Sequence, residues 1–319
     1  MVNNYLEDKK MTLLLLGEFE DTQVWISAIK THQPDLKIEV YPDVDNLADI
    51  DAVLVWMHPL GVIEKFPNLK VIISTGAGVD HILRDPNLPA NIPIVRLVDE
   101  SLTSQMSEYI LLAILQFHRQ FADYKIQQNQ QLWRGLSPRN TENCTVGILG
   151  LGVLGSDIAQ KLNILGFSVR GWSRTPKILD NINCFSGETQ LNLFLSECSV
   201  LVCLLPLTPE TEGILNQKTF AALPQGAYLI NVARGKHLVE EDLLTALTSG
   251  QLSGACLDVF PIEPLPENHP FWRHPQIIVT PHIAAKTIPT CVAPQIITAM
   301  QNSQEGLILN NTIDLSKGY

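Results

Sequence analysis

The sequence predicts an α/β protein built on doubly wound parallel sheet and divided into two domains. Three observations carry that prediction. Short apolar runs alternate with helical patterns in two separate series, one before residue 100 and one starting at Thr145. The second series opens with a glycine-rich turn set between a strand and a helix. The chain has 319 residues, more than one hydrophobic core usually supports.

The first series places strands at residues 12–16, 37–41, 52–56, 71–74 and 92–96, with a helix at 22–30. Pro86, Pro89 and Pro93 punctuate the loop before the last of these strands. Residues 103–134 follow with no Pro. Ile110, Leu111, Ile114, Leu115 and Phe117 recur there at helical spacing, with Ser104 placed to cap the start. One long helix or two in series fits, the second half being polar (FADYKIQQNQQ). The second series runs from TVGILGLGVLG into a helix opening at Ser156, with Ile158, Ala159, Leu162 and Leu165 on one face. The runs SVRGWS, VLVCLLP, AYLINVA, ACLDVF and QIIVTPHIA then read as strands, and HLVEEDLLTALTSG reads as a helix. Such continuous apolar runs are what strands covered on both faces require. The last thirty residues read as mostly helical and are too few to form a domain alone.

Composition excludes several classes. Apolar residues make up 45% and charged residues 17%, so the chain can bury a core and is not a disordered polymer. With 22 basic against 33 acidic residues the net charge is −11, which argues against nucleic acid as a partner. No apolar run reaches the ~18 residues a membrane span needs. Glu7 and Asp8 precede a very short apolar run, unlike a secretory signal. The six cysteines form no C-x-x-C pair, so no metal site is expected. Cys144, Cys198, Cys203 and Cys256 lie in or beside apolar stretches and read as buried hydrophobes. A cytoplasmic setting is the expectation.

The glycine-rich turn is Gly150-Leu151-Gly152-Val153-Leu154-Gly155, a G-x-G-x-x-G match. Alone the match is weak. Placed after a strand and before a helix, it reads as a dinucleotide site. Gly150 makes the tight turn, Gly152 lets a pyrophosphate approach, and Gly155 allows close helix–strand packing. The helix N-terminus then faces the phosphates. An Asp or Glu about 20 residues on would hold the ribose of NAD. Ser173 stands there instead, with Arg174 and Lys177 beside it. These groups accept a 2′-phosphate that a carboxylate would repel, so NADPH is expected over NADH.

Three further segments fall at predicted strand ends, where ligands bind in such sheets. They carry Arg234, Glu263 and His282. An arginine clamps a carboxylate, a histidine exchanges a proton with a carbonyl or hydroxyl, and a glutamate steadies the imidazole. His58 also follows an apolar strand and is a candidate pocket residue beside Trp56. His32, His81, His118, His237, His269 and His274 have no comparable setting and are expected to be structural or solvent-exposed.

With these residues in view, the chain resembles the D-isomer-specific 2-hydroxyacid dehydrogenase family almost end to end. The resemblance rests on GAGVDHI at residues 76–82, GLGVLG at 150–155, the ARG of Ala233, Arg234 and Gly235, LDVF with Glu263 and Pro264 downstream, and TPHIAA ending at Ala285. The spacings of 29 residues from Arg234 to Glu263 and 19 from Glu263 to His282 match the family pattern. VWMHP, DYKIQQNQ, GWSRTPK, HPFWRHP and the final KGY resemble the branch that reduces glyoxylate and hydroxypyruvate.

The resemblance implies a Rossmann-type domain, residues 103–285, inserted into a smaller flavodoxin-like substrate domain, residues 1–102 completed by 286–319. It implies that Arg234 binds the substrate, His282 is the acid/base and Glu263 pairs with it. Gly76, Ala77 and Gly78 would offer backbone N–H groups to the substrate carboxylate, with Trp56 as a wall. Val153 and Leu154 would lie over the pyrophosphate, Leu205 and Pro206 would line the adenosine side, and Asp258 would hold the nicotinamide carboxamide. A homodimer acting on small 2-oxo acids follows by the same route. Two alternatives stand beside it. One is another dehydrogenase of the family. Phosphoglycerate enzymes often carry an extra C-terminal domain, and D-lactate enzymes usually carry an acid where Ser173 stands. The other is a nucleotide-sensing, corepressor-like binding module on the same fold, which would lack turnover.

Overall fold

The computed structural model describes residues 11–315. The N-terminal residues read above for a signal, and the closing Lys317, Gly318 and Tyr319, lie outside them. The elements in chain order are β1 (Thr12–Gly17), α1 (Thr22–His32), β2 (Lys37–Val40), β3 (Ile50–Trp56), β4 (Val71–Ser74), α2 (Asp80–Leu83), β5 (Ile94–Arg96), α3 (Glu100–His118), α4 (Phe121–Asn129), β6 (Thr145–Leu149), α5 (Val153–Ile164), β7 (Ser168–Ser173), β8 (Asn183–Ser186), α6 (Glu188–Leu195), β9 (Val200–Cys203), α7 (Gln217–Ala222), β10 (Ala227–Asn231), α8 (Glu240–Thr248), β11 (Leu252–Leu257), β12 (Ile277–Val279) and α9 (Pro289–Glu305). They form two compact units, Met1–Leu102 with Lys286–Tyr319, and Thr103–Ala285.

The first unit holds a five-stranded parallel sheet in the order β2-β1-β3-β4-β5, the flavodoxin-like arrangement. Its interior strand β1 buries Leu13, Leu14, Leu15 and Leu16, as a strand covered on both faces must. Asp21 starts α1 by accepting hydrogen bonds from the Gln23 and Val24 amides (2.9 and 3.4 Å). On one face Trp25, Ala28 and Ile29 of α1 share a core with Val292, Ala293, Ile296 and Met300 of α9. An antiparallel bridge joins Val95 to Thr312. The C-terminal helix therefore belongs to the core of the N-terminal segment.

The second unit holds seven parallel strands in the order β12-β11-β10-β9-β6-β7-β8. The chain order reverses between β6 and β9, which puts a crevice at their carboxyl ends. Phe194, Leu229, Leu243 and Phe271 lie in the core on one side of the sheet, and Ile110, Val146, Ile158 and Ile230 in the core on the other. The α/β class and the doubly wound parallel sheet are as the sequence predicts.

Three local readings change. The first long helix begins at Glu100, because the Asp99 carboxylate accepts from the Ser101 and Leu102 amides (2.8 and 3.2 Å). Ser104 therefore lies inside the helix and bonds Glu108. The two-helix alternative for residues 103–134 holds, with Gln120 in left-handed backbone (φ +59°) at the break. Helix α5 starts at Val153 rather than Ser156, and Leu165 ends it 48% exposed, off the buried face. Cys144, Cys198, Cys203 and Cys256 are buried and unbonded to one another.

His58 is wholly buried and does not line an open pocket. Its Nε2–H donates to Asp85 Oδ2 (3.1 Å), and Asp85 also accepts from the Gly61 and Asn87 amides (3.0 Å each). Burial lowers the His58 pKa. Burial alone would raise that of Asp85, but the Asn87 and Gly61 amides and His58 outweigh it and hold the carboxyl below its ordinary value. Both groups thus stabilise the fold above their unfolded titration ranges and lose that contribution as pH falls through their folded ones. Removing the imidazole strips one partner from a buried carboxylate. His58→Ala should cost about 1–3 kcal/mol of unfolding free energy at neutral pH. Chemical denaturation with unchanged stability would refute it.

Candidate active site

The carboxyl end of β6 makes the glycine turn. Gly150 has φ +106°, and a Cβ there would lie 2.7 Å from the Leu204 carbonyl oxygen. A Cβ on Gly155 would lie 1.8 Å from the Gly150 oxygen, so α5 packs on its own turn at backbone distance. Gly152, which caps α5, is exposed and has nothing within 4 Å of a Cβ position. Space at Gly152, close packing at the other two glycines and a 12-residue helix beginning at Val153 fit a dinucleotide pyrophosphate. Val153 is 54% exposed in the first turn and Leu154 is half-buried.

At the end of β7, Ser173 is buried and its hydroxyl donates to the Thr175 carbonyl (2.8 Å). That hydroxyl shapes its own turn, while Arg174 and Lys177 extend from the turn as exposed residues. Leu205 is buried and Pro206 half-buried after β9, the Pro206 carbonyl accepting from Thr211 Oγ1 (2.7 Å). Nearby, the Thr208 hydroxyl, the Glu210 amide and the Arg174 charge hold the Glu210 carboxyl below its ordinary value.

Arg234, Glu263 and His282 follow β10, β11 and β12 respectively, three adjacent strands. The buried Asn231 side chain accepts from the Ala233 amide (3.2 Å) and donates to the Arg234 carbonyl (3.0 Å). Gly235 follows, where a Cβ would lie 1.9 Å from the Phe260 carbonyl carbon. Only glycine lets the arginine loop abut the loop that carries Glu263. Glu263 Oε1 accepts from the Phe260 amide (2.8 Å), and Oε2 accepts from His282 Nδ1 (2.7 Å). Burial pushes the Glu263 pKa up. The bond to His282, the Phe260 amide and the positive charges of His282 and Arg234 outweigh that and leave it below its ordinary value.

His282 itself sits in left-handed backbone at φ +54°, uncommon for any residue but glycine. Asp258 holds it there. The Asp258 carbonyl accepts from the His282 amide (2.9 Å). Its carboxylate accepts from Thr280 Oγ1 (2.6 Å), Ile283 N (2.9 Å) and Ala284 N (2.8 Å). Tyr109 Oη bonds Thr280 in turn (2.5 Å). The Asp258 carboxylate, which the family resemblance assigns to the nicotinamide carboxamide, thus also accepts from three donors of the histidine loop.

In the first unit, Trp56 ends β3 and packs on His81 with the rings tilted by 54° and their centroids 4.6 Å apart. A Cβ on Gly76 would lie 3.1 Å from Trp56 Cζ3. Gly76, Ala77 and Gly78 form the turn after β4, and Ser74 Oγ bonds the Gly76 and Gly78 carbonyls (3.1 and 3.2 Å). The Gly76 amide points back at Ser74 Oγ (3.4 Å). Sequence reasoning missed Ser74, Asn231 and Tyr109. It also set aside His237, which is fully buried and bonds the Arg234 amide. Among the described residues, no group of three or more His, Cys, Asp or Glu is arranged to hold a metal ion.

Fold and site together define a dinucleotide-binding dehydrogenase. A sequence profile described as D-isomer specific 2-hydroxyacid dehydrogenase, NAD binding domain, matches residues 111–284. The glyoxylate/hydroxypyruvate reductase A of Serratia proteamaculans is 44% identical over 314 residues, 97% of this chain and 100% of its own. Among solved structures, a D-isomer specific 2-hydroxyacid dehydrogenase from Xanthobacter autotrophicus, in complex with NADPH and MES, is 38% identical with a TM-score of 0.93. It covers 97% of this chain and 100% of its own. An NADPH-dependent glyoxylate/hydroxypyruvate reductase from Sinorhizobium meliloti, in complex with NADP and sulfate, is 37% identical with a TM-score of 0.92 at the same coverage. The chain belongs to the D-isomer specific 2-hydroxyacid dehydrogenase family.

Proposed function

We propose that this chain is an NADPH-dependent reductase of small 2-oxo acids, converting glyoxylate to glycolate and hydroxypyruvate to D-glycerate. The observation that carries the reading is the His282–Glu263 pair beside Arg234 at adjacent strand ends. The named activities of relatives that share 97% of the chain support the choice of substrate.

When bound, the dinucleotide supplies a hydride. This chain's residues do the rest. Arg234 clamps the substrate carboxylate through its guanidinium. His282 starts protonated and delivers the Nε2 proton to the carbonyl oxygen, becoming neutral as the hydroxyl forms. Glu263 accepts from Nδ1–H and keeps the ring oriented. Trp56, Gly76, Ala77 and Gly78 are the proposed contribution of the first unit to substrate binding. The phosphate-facing residues are Gly150, Gly152, Val153, Leu154 and Gly155, with Arg174 and Lys177 for the 2′-phosphate, Ser173 shaping their turn, and Leu205 and Pro206 at the adenosine.

The reading extends to assembly and location. Phe121, Tyr124 and Ile126 of α4 and Leu132 and Trp133 beyond it are exposed, Trp133 completely at 102%. A second copy of the chain covers this apolar set in a homodimer. Six free cysteines fit a reducing cytoplasm. Among the described residues no helix is long and apolar enough to cross a membrane.

Cofactor choice gives the first test. Arg174→Ala should raise the KM for NADPH roughly 10- to 150-fold, the loss of one charge-assisted contact, and change that for NADH little. Equal effects on the two would remove the 2′-phosphate assignment. The pH profile gives the second. Glu263 stays ionised until pH falls below the ordinary carboxylate range, so the pair is intact at neutral pH. Reduction should slow as pH falls and Glu263 takes up a proton. Glu263→Gln keeps a hydrogen-bond partner and removes the charge, so the variant should turn over slowly and lack this acid limb. His282→Ala should cost roughly 100- to 10,000-fold in kcat. Near-normal turnover of glyoxylate and hydroxypyruvate by that variant would overturn the mechanism. For assembly, sedimentation equilibrium should give twice the 35.4 kDa chain mass, and a monomer would refute the homodimer.

A further inference from the structure

His237 is the buried titratable residue closest in chain to the proposed substrate clamp, and the mechanism above does not use it. Its side chain is 0% exposed. Nδ1 accepts from the Arg234 backbone N–H (3.2 Å), and the other ring nitrogen, Nε2, lies 3.3 Å from the Pro206 carbonyl oxygen. An amide N–H can only donate, so Nδ1 must be bare and the ring proton must sit on Nε2, aimed at Pro206. The His237 amide also donates to the Arg234 carbonyl (3.2 Å), and Asn231 donates to the same oxygen. Both backbone groups of Arg234 are therefore gripped, one of them by an imidazole of fixed tautomer.

We infer that His237 is a positioning residue for substrate carboxylate recognition, fixing through Nδ1 the backbone from which the Arg234 guanidinium reaches. The inference rests on the reading of Arg234 as the carboxylate clamp. A long arginine side chain amplifies any tilt at its own Cα, so a clamp of this reach needs a fixed base. The two ring contacts differ in weight. The Pro206 oxygen also accepts from Thr211 Oγ1 at 2.7 Å, so the Nε2 contact is duplicated. The Nδ1 contact acts on Arg234 directly.

That difference makes the role testable by isosteres. His237→Asn keeps an acceptor near the Nδ1 position and loses the Nε2 arm. His237→Gln places a donor near Nε2 and loses the Nδ1 acceptor. Steady-state kinetics with glyoxylate and NADPH, NADPH affinity by fluorescence titration and thermal melting are measured for wild type, both variants and His237→Ala. His237→Gln and His237→Ala should raise the glyoxylate KM roughly 5- to 10-fold, one hydrogen bond's worth, with kcat and NADPH affinity within about 2-fold. His237→Asn should restore the glyoxylate KM to within about 2-fold of wild type. If His237→Ala fails to fold, the Asn–Gln comparison decides alone. Equal glyoxylate KM values in those two variants overturn the inference, as do parallel losses of NADPH affinity. Arg234→Lys serves as reference. If it leaves the glyoxylate KM unchanged, the clamp reading fails and this inference with it. If it raises that KM while the His237 variants do not separate, only the role of His237 fails.

Discussion

Asp258 is 1% exposed, and a carboxylate taken so far out of water is tolerable only when its oxygens are met by donors. Thr280, Ile283 and Ala284 meet them, and all three belong to the segment that carries His282. The cost of burying that charge is thereby offset by ordering one short loop. The loop in turn keeps a histidine in left-handed backbone, a conformation an isolated residue would leave. From there Nδ1 meets Glu263, and Glu263 takes its second bond from the Phe260 amide in the loop after β11. The proposed acid–base histidine at the strand ends is thus held in place by one buried acid.

The same logic of backbone contact governs the arginine. Gly235 and Gly155 both sit where a Cβ would overlap a neighbouring carbonyl group, one against the loop after β11 and one against the nucleotide turn. In each case the missing side chain lets two main chains touch directly. Distances set by main chain are short and stiff, and the residues they carry vary little in position.

Much of this was legible in the sequence. Apolar runs such as LLLL in β1 and VLVC in β9 announce strands covered on both sides, because they are short, rich in branched residues and set between turn or helix signals. Glycine spacing marked the turn, and strand ends marked Arg234, Glu263 and His282. Asp258 was visible as a residue but not in its role, since a carboxylate's partners are backbone amides 25 and 26 residues away and leave no trace in composition. Ser173 looked open because its bond to Thr175 is set by the turn's geometry. His58 resembled a pocket residue for the same reason: Asp85, 27 residues on, is what draws it inward. The edge strand β8 and helices α6 and α7 lack long apolar runs, so packing rather than pattern defines them.

The shared core of α1 and α9 has a consequence for how the chain is made. Trp25, Ala28 and Ile29 emerge early from a ribosome, while Val292, Ala293, Ile296 and Met300, which cover them, emerge among the last residues. The nucleotide-binding unit, contiguous from Thr103 to Ala285, has all its own residues before that. Synthesis therefore completes the middle of the protein before its beginning. During translation the N-terminal sheet has α1 on this face but lacks the apolar cover of α9 until the last helix is made.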